Sequence, residues 1–430
     1  MKALIVSSLL VAGVAQAAPH SGVLNIAAGA DRTCALMADH RVSCWGSSEP
    51  TPSPAPGIGN VAWVAAGRGF TCALKSATNS DDRTVWCWGK NDVGQLGNGT
   101  GVDSADPVEV LVRRPMPIGS KPLSDVVTIS AYESHACALQ SDNTMWCWGE
   151  NSDGELGHHS APLQSLTAVE VVVHDGFDSK LNVLSMAVGG EHTCAALSDG
   201  SRTAACWGYN AFGQVGNDAA ASSTNSPYPV LTQDGSSLVI DAGGYISAGG
   251  YHTCALVPEA SPERNSIVCW GENLRGALGN AKQFGSWTSS PEPVGFADGT
   301  KLTFLDSVSA GALSTCALLA ADKSIACWGA DNYGQLGNHR TVEDGYSISP
   351  VSVQLDGNTL VGFSSLSLGA DHACAIQSDS TDTAPQPGVK CWGRNNVGQL
   401  GLGTSDTSRH DGPFPAKGDW PLFTDGFDAP

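Results

Sequence analysis

The chain has 430 residues, with 51 glycines, 12 tryptophans and 14 cysteines, and only 15% of it is charged. Many turn formers and few helix-favouring Lys, Arg and Glu point to an all-β protein. A formal net charge of −20 repels phosphate backbones and anionic lipid, so nucleic acid is not expected as a partner.

The N-terminus reads as an export signal over residues 1–17. Lys2 precedes the apolar run from Ala3 to Val14, and Ala15-Gln16-Ala17 forms a small-x-small cleavage site. The mature chain is expected to start near Ala18 and to be secreted, periplasmic or at the cell surface. That compartment is oxidising, where an even cysteine count suggests disulfides. No later stretch approaches the length of a membrane span.

From residue 18 to about 420 one unit recurs seven times, at about 23–60, 61–124, 125–182, 183–240, 241–303, 304–362 and 363–420. Its first cysteine is Cys34, Cys72, Cys137, Cys194, Cys254, Cys316 or Cys374. Its second is Cys44, Cys87, Cys147, Cys206, Cys269, Cys327 or Cys391, always followed by Trp-Gly. Residues before the first cysteine alternate as a strand, a polar turn of variable length follows, and a second strand ends at Cys-Trp-Gly. The two cysteines thus sit on neighbouring strands of a hairpin. Nine to sixteen residues separate them, and lengthening at the tip leaves them opposite each other.

Six units continue into a Gly-rich loop such as Asn91-x-x-Gly94-Gln95-Leu96-Gly97, and then a Pro-flanked strand such as Asp106-Pro107-Val108-Glu109-Val110. About four strands in roughly 60 residues is one propeller blade. A β-solenoid has shorter repeats without room for four strands. The expected fold is an all-β, seven-bladed β-propeller. One disulfide is expected per blade: Cys34–Cys44, Cys72–Cys87, Cys137–Cys147, Cys194–Cys206, Cys254–Cys269, Cys316–Cys327 and Cys374–Cys391.

The pattern Ala-Gly-x-x-His-Thr-x-Ala-Leu, then Cys-Trp-Gly-x-Asn-x-x-Gly-Gln-Leu-Gly, resembles the repeat of the regulator of chromosome condensation family, over about residues 23 to 418. The resemblance implies a seven-bladed propeller in which each repeat supplies strands to adjoining blades. It also implies that the histidine before the first cysteine belongs to the repeat consensus, with a hydrogen-bonding role inside the blade. Three places depart from the pattern or lie at its margin. The first unit lacks the loop and runs from Gly46 into a Pro-rich stretch, Glu49–Pro56, that reads as a link. The sixth has Asp331 for the loop Asn. Gly412-Pro413-Phe414-Pro415 has no eighth unit to serve, so it is expected to pair with the first blade and close the ring.

Candidate chemistry was sought residue by residue. The cysteines form no close C-x-x-C pair, so structural disulfides are favoured over metal or redox sites. His135, His192, His252 and His372 occupy one repeat position, but Arg32, Phe70 and Ser314 break a ring of imidazoles, and no metal is expected. The Gly-rich loops lack the Lys and helix of a phosphate cradle, and no cofactor is expected. Their glycines read as a tight blade-to-blade turn whose Leu plugs the core, and the Trp of each Cys-Trp-Gly reads as packing between blades. No Gly-x-Ser-x-Gly elbow, His-Glu-x-x-His or EF-hand loop occurs, so the chain is not expected to be an enzyme.

A protein-binding scaffold is the leading expectation, because a propeller displays variable loops on a rigid ring. The resemblance implies two precedents, nucleotide exchange on a small GTPase with chromatin contact, and inhibition of β-lactamase by a secreted bacterial propeller. Export, disulfides and acidity favour the second setting. A carbohydrate-binding or adhesion module is the alternative, using Trp86 and Trp146, and a secreted hydrolase or lyase comes third. Neither exchange activity nor DNA binding is expected. A monomer with one unidentified protein partner is. The free positions of the Asn-x-x-Gly loops should gather on one face, with Tyr209, Phe212, Leu274, Arg275, Tyr333 and Asn396 as binding candidates. Residues 421–430 read as a tail, a sorting signal or a disordered terminus.

Overall fold

The structure is a computed structural model. It describes residues 22–417 except 77–82, 114–118, 175–177, 219–221, 260–263, 283–284, 340–344 and 378–387. The export segment and the tail lie outside the described residues. Among those described, no helix is long and apolar enough to cross a membrane.

Seven antiparallel sheets follow one another, each built from four consecutive strands. The first comprises Val23–Ala28, Arg32–Met37, Val42–Gly46 and Glu49–Pro54. The leading strands Val23–Ala28, Val61–Ala66, Val126–Tyr132, Val183–Val188, Ile246–Ala248, Leu305–Ala310 and Phe363–Leu368 touch in succession, and the last returns to the first. They are therefore the inner strands of a closed seven-bladed propeller. Outer strands are rich in proline, such as Pro107, Pro291, Pro350 and Pro413, which cannot donate to another edge.

In every blade the two cysteines face each other across the second and third strands. All seven disulfides form, with Cα atoms 4.0 to 4.1 Å apart and no cysteine free. The glycine of each Cys-Trp-Gly sits at a bulge in the pairing with the outer strand. At Gly89, for example, φ is +109° and a Cβ would come within 2.3 Å of the Gly69 carbonyl oxygen. Only glycine fits there.

Three expectations need correction. Glu49–Pro54 is no link but the outer strand of blade 1, pairing Ser43 with Pro54 and Cys44 with Ser53. That strand already occupies the outer edge of the first blade. The C-terminal strand His410–Pro415 consequently pairs with Gly388–Gly393 of its own repeat and closes no ring by strand exchange. Strand donation between repeats is also not general. It occurs where Leu111–Arg113 and Ser120–Pro122, from the end of repeat 2, extend the outer edge of blade 3.

Candidate functional site: blade seams and the loop face

The Gly-rich loop is a plug between blades. Its Asn side-chain oxygen accepts the N–H of the residue five positions on, as in Leu96 to Asn91 at 2.9 Å and Leu156 to Asn151 at 2.9 Å. This folds the loop back and drives the aliphatic residue into the seam, where Leu96, Leu156, Val215, Leu278, Leu336 and Leu400 are all buried. The tryptophan of the next blade donates its indole N–H to the preceding loop carbonyl. Trp148 bonds Gln95, Trp207 Glu155, Trp270 Gln214, Trp328 Ala277, Trp392 Gln335 and Trp45 Gln399, at 2.7 to 2.9 Å. The final loop glycine lies on that indole, and a Cβ at Gly279 would meet Trp328 at 2.6 Å. Repeat 7 thus closes the ring with its loop, not with a strand.

The seam histidines serve the same junctions. Nε2 of His135, His192, His252 and His372 lies 2.7 to 2.9 Å from the hydroxyl of Thr193, Thr253, Thr315 and Thr33 in the next blade. Each threonine donates its only hydroxyl proton to the loop carbonyl beside it. The hydroxyl must therefore accept from Nε2–H, which sets the tautomer. Burial pushes His135, His192 and His372 down to about 3 and His252 to about 4, so the rings are neutral. Each imidazole commits its Nε2 to its own seam, while Nδ1 of His192, His252 and His372 is buried without a hydrogen-bond partner. Where the position holds Phe70 or Ser314, the next blade carries Ala136 or Ala373, with no hydroxyl to satisfy.

Asp331, the one departure from the loop Asn, keeps the backbone contact with Leu336 at 3.0 Å. It cannot donate, and its charge is met by Arg409 at 2.6 Å. Its carboxyl is nevertheless raised, chiefly by burial.

The residue after each Cys-Trp-Gly bonds the turn between the first two strands: Tyr209 to Glu191, Glu272 to Tyr251, Arg394 to Asp371. Both sets of turns therefore share one end of the ring. On this end Tyr209, Phe212 and Tyr251 pack edge to face in a triad, with centroids 5.5 to 6.2 Å apart. The Tyr251 hydroxyl lies 3.5 Å from Glu191. The Glu191 carboxyl is raised, first by burial and then by Asp153, Glu150 and Glu133, so further acidic groups lie near the carboxylate that meets Tyr251.

The structure groups the predicted loop residues unevenly. Tyr209 and Phe212 join through Tyr251, which the sequence reading missed although it stands just before the seam His252. Tyr333 lies under the Arg394 guanidinium at 4.8 Å. Leu274, 47% exposed, and Arg275 project from the blade 5 loop. Asn396 is tied into its own turn, accepting from Gln399 at 3.1 Å. Elsewhere, Trp86 is half-buried with Lys75 over its face at 4.1 Å, and the Trp146 N–H is held by Gln140 at 2.7 Å.

Models of the regulator of chromosome condensation (RCC1) repeat match residues 23–49, 126–155, 183–214 and 363–399, and residues 82–139. The propeller thus contains RCC1 repeats. Among curated proteins this RCC1-repeat propeller is similar to the ultraviolet-B receptor UVR8 of Arabidopsis thaliana, 25% identical over 402 residues, covering 90% of this chain and 80% of that one. It is similar also to the mitochondrial RCC1 domain-containing protein RUG3 of the same plant, 27% identical over 63% of this chain and 55% of that protein. Among solved structures, Prp20p of Saccharomyces cerevisiae superposes with a TM-score of 0.67 at 22% identity, covering 93% and 88% of the two chains. Human WBSCR16 does so at 0.62 and 18%, covering 84% and 87%. These likenesses are of fold.

Proposed function

We propose that this RCC1-repeat propeller is a secreted protein-binding scaffold, and that its working surface is the loop face centred on Tyr209, Phe212 and Tyr251. The carrying observation is the aromatic triad with Glu191 against Tyr251, and with Asp153 and Glu150 acting on Glu191. Half-buried aromatics on a rigid frame are the material of interface hot spots, and the acidic rim suits a partner segment that presents Lys or Arg around an apolar side chain. The seven disulfides support an oxidising compartment. The structural work on Prp20p concerned its binding to Gsp1p and histones, a precedent for protein recognition on this fold.

The test is affinity capture of secreted and surface proteins by the purified chain, followed by titration of the captured partner against alanine variants. Tyr209→Ala, Phe212→Ala and Tyr251→Ala should each cost about 2 kcal/mol, roughly thirtyfold in affinity. Leu274→Ala, Arg275→Ala and Tyr333→Ala report on the rest of the face, and Asn396→Ala should cost less because its side chain serves its own turn. If the triad variants bind within twofold of the parent while shortening the Cys–Cys hairpin tips abolishes binding, the opposite face is the working one.

A further inference from the structure

We propose that His159, His174 and Asp178 form a binding site for a transition-metal dication, Zn2+ foremost, at the outer seam between blades 3 and 4. The ligand atoms, Nδ1 of both imidazoles and a carboxylate oxygen, lie within 4.8 Å of one another. A short hairpin presents two of them. Val173 pairs with Ser179 in its last rung, and His174 and Asp178 are the next residue on either side. His159 arrives on a separate segment, just beyond the Gly-rich loop of repeat 3. The Val172 N–H to Gly157 carbonyl bond, 3.1 Å, ties the hairpin to that loop. Blade 4 anchors both histidines by their backbones: Ser226 accepts from the His174 N–H at 3.0 Å, and Asn225 donates to the His159 carbonyl at 3.4 Å.

The chemistry of the cluster asks for a cation. The imidazoles of His159 and His174 are in contact, with centroids 4.2 Å apart, and their Nδ1 atoms stand 3.5 and 3.9 Å from the Asp178 carboxylate. These distances are longer than a hydrogen bond. By contrast, His410 and Asp406 close to 2.9 Å as an ordinary hydrogen-bonded pair. The His159 Nδ1 atom is buried and has no hydrogen-bond partner. Three electron-pair donors thus converge on one point. A tetrahedral shell with metal–nitrogen distances of about 2.0–2.1 Å would draw these side chains closer together. Two imidazoles and one carboxylate select zinc-like ions over Ca2+ and Mg2+. Asp178 is exposed, which leaves the fourth position open to water. The bound ion would staple the hairpin to the repeat 3 loop, away from the aromatic triad.

The test uses the full mature chain, stripped by a chelator and titrated with Zn2+ by calorimetry at pH 7.5, with Co2+ as a visible-absorption probe. We expect one equivalent per chain. His174→Ala and Asp178→Asn should each weaken it at least about tenfold, with an unchanged circular dichroism spectrum, and His410→Ala should leave it intact. Absence of saturable binding would overturn the proposal. So would His174→Ala and Asp178→Asn variants that bind as tightly as the parent.

Discussion

The seam between blades 1 and 2 differs from the other six. Repeat 1 has no Gly-rich loop, so no Leu plug enters behind the Cys34–Cys44 disulfide and no loop carbonyl meets Trp88. Trp88 is 6% exposed where the tryptophans of the plugged seams are at 1% or less, and Cys44 is partly exposed while the other thirteen cysteines are buried. Arg32 takes the histidine position, and its guanidinium reaches Thr71 at 3.1 Å and Ser47 at 3.3 Å. Burial lowers its pKa, with Asp31 and Glu49 opposing. A longer side chain occupies space that the missing loop leaves. What holds a plugged seam is a loop that offers an aliphatic wedge and a carbonyl together. The disulfide and the indole recur in all seven seams and do not make the difference.

Acid should most strongly separate the four plugged seams that carry a histidine from the unplugged one. A histidine held at about 3 or 4 when folded and 6.5 when unfolded contributes stability that is fully present above pH 6.5. That contribution is lost as pH falls toward the folded value. Each of the four can cost up to about 1.4 kcal/mol per pH unit in that window. Denaturant melts between pH 6.5 and 4.5 should show the decline, and His252→Asn should make it shallower by the share of one histidine in four. Hydrogen-exchange protection factors, corrected for the intrinsic pH dependence, should fall at the four histidine seams over the same range and stay level at the Arg32 seam. A uniform response would break the distinction.

Tryptophan truncation comes next. Trp270→Ala should destabilise by about 3–5 kcal/mol. Trp88→Ala should cost less by roughly 1 kcal/mol, since it gives up no indole hydrogen bond. Chemical denaturation of both variants decides, and equal losses would show that the plug adds nothing.

Within the plugged group, Glu155 stands where four of the other loops have Gln. Its carboxyl is raised from 4.5 to about 7, first by burial, so its contribution is full below pH 4.5 and is lost as pH rises through 7. Glu155→Gln should stabilise by about 1–3 kcal/mol above pH 7 and change nothing below pH 4.5. A gain that ignores pH would assign the effect to packing.

The smallest effect is kinetic. At low concentrations of a phosphine reductant, Cys34–Cys44 should open first, because Cys44 alone among the cysteines is not buried. Timed alkylation and peptide mapping would show the order, and simultaneous opening of all seven would refute it.

The seven blades and their cysteine pairing were legible because each repeat carries its own instructions: alternation, a hairpin that tolerates a longer tip, and a Cys-Trp-Gly stop. The plug role of the Gly-rich loop was legible in outline, since its glycines marked a tight turn and its Leu a buried residue. Two readings went astray for one reason. Pro-rich Glu49–Pro54 reads as a linker by composition, yet an edge strand needs few N–H donors and tolerates proline. Gly412–Pro415 looked surplus only because that outer strand of blade 1 was not recognised.

Sequence alone determined the repeat, its count, the disulfide partners and the inward Trp and Leu, all properties written within about 60 residues. Only tertiary structure decided which blade's threonine answers each histidine, which loop closes the ring, and that Tyr251 completes a triad with Tyr209 and Phe212. The convergence of His159, His174 and Asp178 belongs with these. The first three join residues from different blades, and the last joins two separate segments of repeat 3. No local pattern encodes such contacts, because they arise only when the sheets stack around the axis and bring loop, turn and neighbouring strand to one place.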